Sequence, residues 1–196
     1  MRVSRAQAAE NHQAVINAAS NLFREHGFDG IGLKDLMKGA GLTQGGFYKQ
    51  FASKEDLMAQ ASGRAIEGAA LRWSRAIEAR RGDALDAILT FYLTAEHRDD
   101  KGEGCPFVAL AGDAARQGPK VKAQFQDGLH AHLQMLERVF AQADSPTSNH
   151  PPQGAAMAVL SLLVGSVLLS RTVNDPALSQ DLLAAAATAA RDIAPA

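Results

Sequence analysis

Between Leu42 and Phe51 the chain places Thr43, Gln44, Gly45, Gly46, Tyr48 and Lys49 around two phenylalanines, Phe47 and Phe51. Phe47 and Phe51 are four apart, so on a helix they share a face that can anchor to a core. Gln44, Gly45, Tyr48 and Lys49 are left for the other face. The chemistry available there is recognition. An amide such as Gln44 pairs bidentately with adenine N6 and N7. The Tyr48 hydroxyl and the Lys49 ammonium can donate to phosphate oxygens. Gly45 and Gly46 each cost a helix about 1 kcal/mol relative to Ala, and in return they let backbone approach another molecule closely. A short helix exposing Gln, Tyr and Lys beside two glycines suits a DNA groove.

Other chemistry is poorly supplied. There is no nucleophile elbow, no phosphate-cradling Gly loop, and no His near a Ser or Cys that it could orient. The chain therefore reads as a non-enzyme without a cofactor. His97, Asp99, Asp100, Glu103 and Cys105 lie close in sequence but lack metal-ligand spacing, so no metal site is expected. His130 and His132 are two apart and point to different helix faces. Trp73, Phe91, Tyr92, Phe107 and Met135 fall within helical stretches. They read as ordinary core or as the wall of an apolar ligand pocket, which Cys105 would join. Cys105 is the only cysteine, which excludes an internal disulfide and suits a reducing cytosol. Pro106 favours the first turn of a helix, so Cys105 would stand at its N-cap. There the free N–H groups favour a thiolate, giving either a reactive sensor or a packing residue.

The elements that must position these residues are helices. Val15, Ala18, Ala19, Leu22 and Phe23 recur with a 3.6-residue period, predicting a helix over 12–27 that Gly27 ends. A short helix follows over 33–40, then the Gly41 break, then a helix from Thr43 as N-cap through Gln50. Ser53 with Asp56 three on matches an acidic capping box and opens a long helix to about Arg80. Further helices read at 83–97, 106–117, 119–142, 153–172 and 177–193. The intervening Gly, Pro and Asp clusters supply the breaks. No strand alternates convincingly, and the fold class is all-α.

Composition agrees. The 196 residues are 46% hydrophobic and 21% charged, which excludes wholesale disorder. The net charge of −1 excludes a uniformly basic surface but not a local one. In residues 1–60, Arg2, Arg5, Arg24, Lys34, Lys38, Lys49 and Lys54 face Glu10, Glu25, Asp29, Asp35, Glu55 and Asp56. This near balance calls for few, local phosphate contacts, or a basic arm at Arg2 and Arg5. The N-terminus has no apolar core of a signal peptide, and the apolar run 155–169 is shorter than a bilayer span, so a cytoplasmic protein without a membrane partner is expected. Ala155, Ala158, Leu162, Gly165 and Leu169 form one apolar side of that run, and Val159, Leu163 and Val167 the other. A helix apolar all round must be covered all round, which predicts a homodimer through 153–193.

Residues 12–58 resemble the DNA-binding domain of TetR-family transcriptional regulators. The matching residues are Ala19, Phe23, Gly27, Phe28, Leu36, Ala40-Gly41-Leu42, Gly45, Phe47-Tyr48, Phe51 and Ser53-Lys54-Glu55-Asp56-Leu57. The chain departs from the family pattern at Ile31-Gly32, where Thr or Ser is usual, at Met37 for Ala and at Gln50 for His. The resemblance implies a helix-turn-helix head over 1–52 and a ligand-binding and dimerisation body over 53–196. It implies DNA contacts from Lys34, Thr43, Gln44, Gly45, Gly46, Tyr48, Lys49 and Lys54. It also implies a near-palindromic double-stranded operator and an effector-responsive regulator, most often a repressor released by a small apolar or electrophilic molecule. An activator, a partner-controlled regulator and a helical small-molecule-binding protein without DNA are the alternatives.

Overall fold

A computed structural model describes residues 4–80, 83–141 and 151–194, and these are helical throughout their regular elements. The chain divides into two compact units. One holds Met1–Glu67 with Lys101–Gln126, and the other Gly68–Asp100 with Asp127–Ala196. The segment from Lys101 falls in the first unit because it packs with the N-terminal helices.

In the first unit, α1 (Arg5–His26) starts seven residues earlier than its apolar stripe suggests. Ser4 Oγ accepts from the Gln7 N–H at 3.1 Å and caps it, so a polar first turn forms without apolar periodicity. Val15, Ile16, Ala19 and Phe23 are its buried side. Gly27 ends it at φ 77°, and its N–H donates to Phe23 O at 2.8 Å. Phe28 then turns inward and meets Phe23 edge to face at 5.2 Å.

Helix α2 (Leu33–Gly39) buries Leu36 and Met37. Gly41, at φ 70°, makes the turn, and the Leu42 N–H bonds back to Met37 O at 2.9 Å. The next element, Gln44–Lys49, is a 3-10 helix rather than the expected α-helix. Its shortness and its two glycines both weaken the α-helical ladder, and the tighter 3-10 form is common in such short pieces. Thr43 is its N-cap by backbone geometry but makes no side-chain cap. Helix α3 (Lys54–Ala79) opens as expected, with Ser53 Oγ accepting from the Asp56 N–H at 3.1 Å. The Asp56 carboxylate reaches past the cap residue and accepts from the Ala52 N–H at 3.2 Å. Helix α6 (Pro106–Ala114) and the first part of α7 (Pro119–Ala141) complete this unit.

In the second unit the helix expected over 83–97 is two, α4 (Ala84–Tyr92) and α5 (Ala95–Asp99). Thr94 interrupts them by capping α5, its Oγ accepting from the His97 N–H at 3.1 Å. The His97 ring accordingly folds back, with Nδ1 2.7 Å from Tyr92 O. Helices α8 (Pro152–Ser170) and α9 (Pro176–Ile193) pack against each other, and the Ser170 and Ser179 hydroxyls meet at 2.6 Å. Val159, Leu163 and Val167 are fully buried and Ala155 joins them, whereas Met157, Leu168, Leu169 and Leu178 are exposed. Helix α8 is long and apolar enough to cross a membrane by length and composition, but one whole side of it is core. Asp86 on α4 ties α9 to the end of α3 through Arg191 at 2.5 Å and Arg80 at 2.9 Å.

Candidate nucleic-acid interface

The inward anchors of the 3-10 helix are Phe47, fully buried, and Phe51, nearly so. Their rings stack at 5.5 Å. Most of the residues the groove reading needs lie on the outside. Thr43, Gln44, Gly45, Tyr48 and Lys49 are exposed, Tyr48 to 76%. Tyr48 leans its ring edge on Phe47 at 5.1 Å, so an aromatic body is braced while the hydroxyl faces out. In a 3-10 helix residues three apart eclipse, which sets Gly45 in line with Tyr48.

The two glycines differ. A Cβ at Gly45 would meet nothing within 4 Å, and its φ is not in the left-handed region, so neither backbone conformation nor packing requires glycine there. A Cβ at Gly46 would touch Met37 Cε at 3.7 Å and Gln50 Nε2 at 4.0 Å, an ordinary inward contact. Gly45 therefore leaves an open strip on the exposed edge.

Lys34 is exposed on the first turn of α2. Lys54 is placed differently. Its Nζ donates to Phe28 O at 2.6 Å and to Ile31 O at 3.0 Å, so two of its three protons hold the turn between α1 and α2. The spacing of the sequence carried no sign of this.

The turn is held from a second side. The Phe28 N–H donates to Asp113 Oδ2 of α6 at 3.0 Å. A Cβ at Gly27 would come 2.8 Å from that oxygen. One turn earlier on α1, the buried Arg24 guanidinium donates to Ser20 O, to Asn21 Oδ1 at 2.7 Å and to Gly104 O at 3.0 Å. Asn21 in turn donates to Glu103 at 2.7 Å. Sequence reading missed Arg24, Asn21 and Asp113, because their partners lie some eighty residues away.

The six residues grouped as a pocket wall are described unit by unit. Trp73 and Tyr92, both buried, meet edge to face at 5.8 Å in the second unit. His132, also buried, stands 5.0 Å from Trp73, and His97 lies 4.4 Å from Tyr92 and 5.6 Å from Phe91. Burial pushes both imidazoles below their ordinary value, outweighing the bonds to Gly128 O and Tyr92 O that favour the proton. Met135 is half-buried on α7. Cys105 and Phe107 belong to the first unit, where Phe107 meets Phe125 at 6.0 Å. Cys105 is buried and is the N-cap of α6, with Pro106 in the first turn as its spacing predicted.

Fold and site together define an all-helical protein with an N-terminal helix-turn-helix head. Residues 15–61 match the description "Bacterial regulatory proteins, tetR family", and residues 82–186 match "Tetracyclin repressor-like, C-terminal domain". The chain belongs to the TetR family. The HTH-type transcriptional repressor BepR of Brucella suis biovar 1 is 37% identical over 65 residues, covering 33% of this chain. That match spans only 31% of the BepR length. Two solved structures share the fold over nearly their whole length. The reduced form of E. coli NemR superposes with TM-score 0.79 at 21% identity, covering 94% of this chain and 97% of its own. A TetR-family regulator from Cytophaga hutchinsonii gives 0.80 at 18% identity, covering 99% and 98%.

Proposed function

We propose that this chain is a ligand-responsive, DNA-binding transcriptional repressor that acts as a homodimer. The observation that carries the reading is the exposed edge of Gln44, Gly45, Tyr48 and Lys49 over the buried Phe47 and Phe51. In this reading Gln44 contacts a base edge, while Tyr48, Lys49, Lys34 and Thr43 bind phosphates. Gly45, with Gly46 behind it, lets the backbone approach the duplex. Lys54 keeps one proton for a phosphate while the other two hold the preceding turn.

The exposed apolar edge of α8 and α9 supports dimerisation through 153–193: Met157, Leu168, Leu169 and Leu178. Two heads on a two-fold dimer require half-sites about 34–36 Å apart, hence a near-palindromic operator. The effector is a small apolar or electrophilic molecule. Trp73, Phe91, Tyr92 and Met135 would receive an apolar one, and an electrophile would act at Cys105 beside Phe107. Release follows by linkage, since a ligand that favours one body conformation lowers affinity for DNA that needs another. Within the first unit, the bonds from Arg24 to Gly104 and from Phe28 to Asp113 are where movement of α6 would be felt by α1.

The experiment is enrichment of duplexes from a random-sequence pool, followed by titration with salt. The expected result is a near-palindromic site bound with an affinity that falls steeply as salt rises. Recovery of no preferred sequence would refute it.

A further inference from the structure

The 3-10 helix has little of its own to hold it in place. It is six residues long, carries Gly45 and Gly46, and has no side-chain cap from Thr43. Its position must come from what grips its ends. At the C-terminal end four rings run in series. His12 on α1 stacks on Phe51 at 4.5 Å with the planes 19° apart. Phe51 stacks on Phe47 at 5.5 Å, and Phe47 meets the edge of the exposed Tyr48 at 5.1 Å.

The same His12 anchors a hydrogen-bond chain. Its Nε2 is 3.0 Å from Gln60 Oε1 on α3. Gln60 Nε2 donates to Asp56 Oδ1 at 3.2 Å, and Asp56 Oδ2 accepts from the Ala52 N–H at 3.2 Å. A carboxylate only accepts, so Gln60 must present its NH2 to Asp56 and its carbonyl to His12. His12 Nε2 therefore carries a proton and donates. Rings and hydrogen bonds thus grip Phe51 and Ala52 on both sides, at the point where the chain leaves the 3-10 helix. His12 itself is only half-buried, one turn before Val15 and Ile16 at the N-terminal end of the buried side of α1.

We propose that His12 is a positioning residue for sequence-specific DNA binding: through its stack on Phe51 and its bond to Gln60, it sets the orientation in which the 3-10 helix presents Gln44 and Tyr48. The inference rests on the placement of that helix in the groove. Base readout depends on orientation, whereas attraction to phosphates is spread over several cations and tolerates a tilt. Loss of His12 should therefore erode discrimination between sequences before it erodes binding as such.

The test uses the full chain and two fluorescent duplexes: one enriched from a random pool by the wild-type protein, and a scrambled duplex of the same composition. His12→Ala should bind the enriched duplex about tenfold more weakly, the size expected from losing one ring stack and one neutral hydrogen bond. Its affinity for the scrambled duplex and its salt slope should be unchanged, and circular dichroism should show it folded at the assay temperature. His12→Phe, which restores the stack, should recover much of the discrimination. Should His12→Ala melt too low, His12→Gln, which keeps a donor without the ring, gives the same reading. Equal loss on both duplexes, no loss on either, or no recovery by His12→Phe would overturn the proposal. Gln44→Ala, run alongside, separates the two layers. A loss by Gln44→Ala with none by His12→Ala defeats the role of His12 alone. The opposite pattern defeats the groove placement, and the proposal with it.

Discussion

Replacing Gly45 by Ala adds one methyl group to the exposed edge of the 3-10 helix. Inside the protein that methyl group meets nothing within 4 Å, and the backbone is not left-handed, so folding bears no steric cost. Removing glycine also reduces the freedom of the unfolded chain, a gain of about 0.4–1 kcal/mol at compatible sites. For a chain of this size that is a rise in melting temperature of about 1–4 °C. Against DNA the sign reverses. A methyl group holds neighbouring heavy atoms at about 3.5–4.0 Å, whereas a direct backbone contact needs about 2.9 Å. The duplex must back away by roughly 1 Å, and each charge-assisted contact so lost costs about 1.5–3 kcal/mol. One such loss lowers operator affinity by about ten- to a hundredfold. Gly46→Ala is the control, because its methyl group would point toward Met37 and Gln50. Thermal melting and anisotropy titration on the same preparations read the two signs separately. A Gly45→Ala protein that melts slightly higher yet binds its enriched duplex as tightly as wild type would refute close backbone approach at this position.

Asp113→Ala removes the acceptor of the Phe28 N–H and should lower stability by about 1–3 kcal/mol, read by urea denaturation. Leu169→Asp places a charge on the exposed apolar edge of α8, and sedimentation should show the dimer dissociating, with operator affinity falling as well. Burial holds the pKa of His97 and of His132 below the ordinary 6.5, so the unfolded chain takes up protons first as pH falls. Stability should be full above pH 6.5 and should decline as pH drops from there through the folded-state values. Trp73 emission would follow this decline, and His132→Phe should flatten it. Cys105→Ser should abolish operator release by a quinone if the thiol receives electrophiles. Equal release by both proteins would assign Cys105 to packing.

The sequence is most readable where local chemistry decides structure. Gly41, Ser53 and Asp56 mark the turn and the start of α3 by backbone need and capping, and these features appear where they were expected. The alternation of Phe47 and Phe51 with polar neighbours likewise separates inside from outside before any fold is known. Reading fails where partners are remote or patterns are silent. The first turn of α1 is polar, so no periodicity marks it, and one hydroxyl from Ser4 starts it. Thr94 looks like any helical residue until its hydroxyl is seen capping α5. Lys54 resembles a surface cation, yet two backbone carbonyls from the preceding turn claim it.

The membership of Lys101–Gln126 in the same compact unit as the N-terminal helices bears on how such proteins can be rewired. Exchanging heads between relatives to redirect a sensor to a new promoter invites a cut near residue 52, where the linear sequence offers a seam. A head transplanted on that cut leaves behind Asp113, which accepts from Phe28, and Gly104, which accepts from Arg24. The recipient would then have to satisfy an amide at the α1 turn and a buried guanidinium with whatever side chains it has nearby, at a cost of a few kcal/mol if it cannot. The transferable module is discontinuous. A graft of 4–67 should travel with 101–126, or with a recipient segment that supplies an acid and a carbonyl at the same two places.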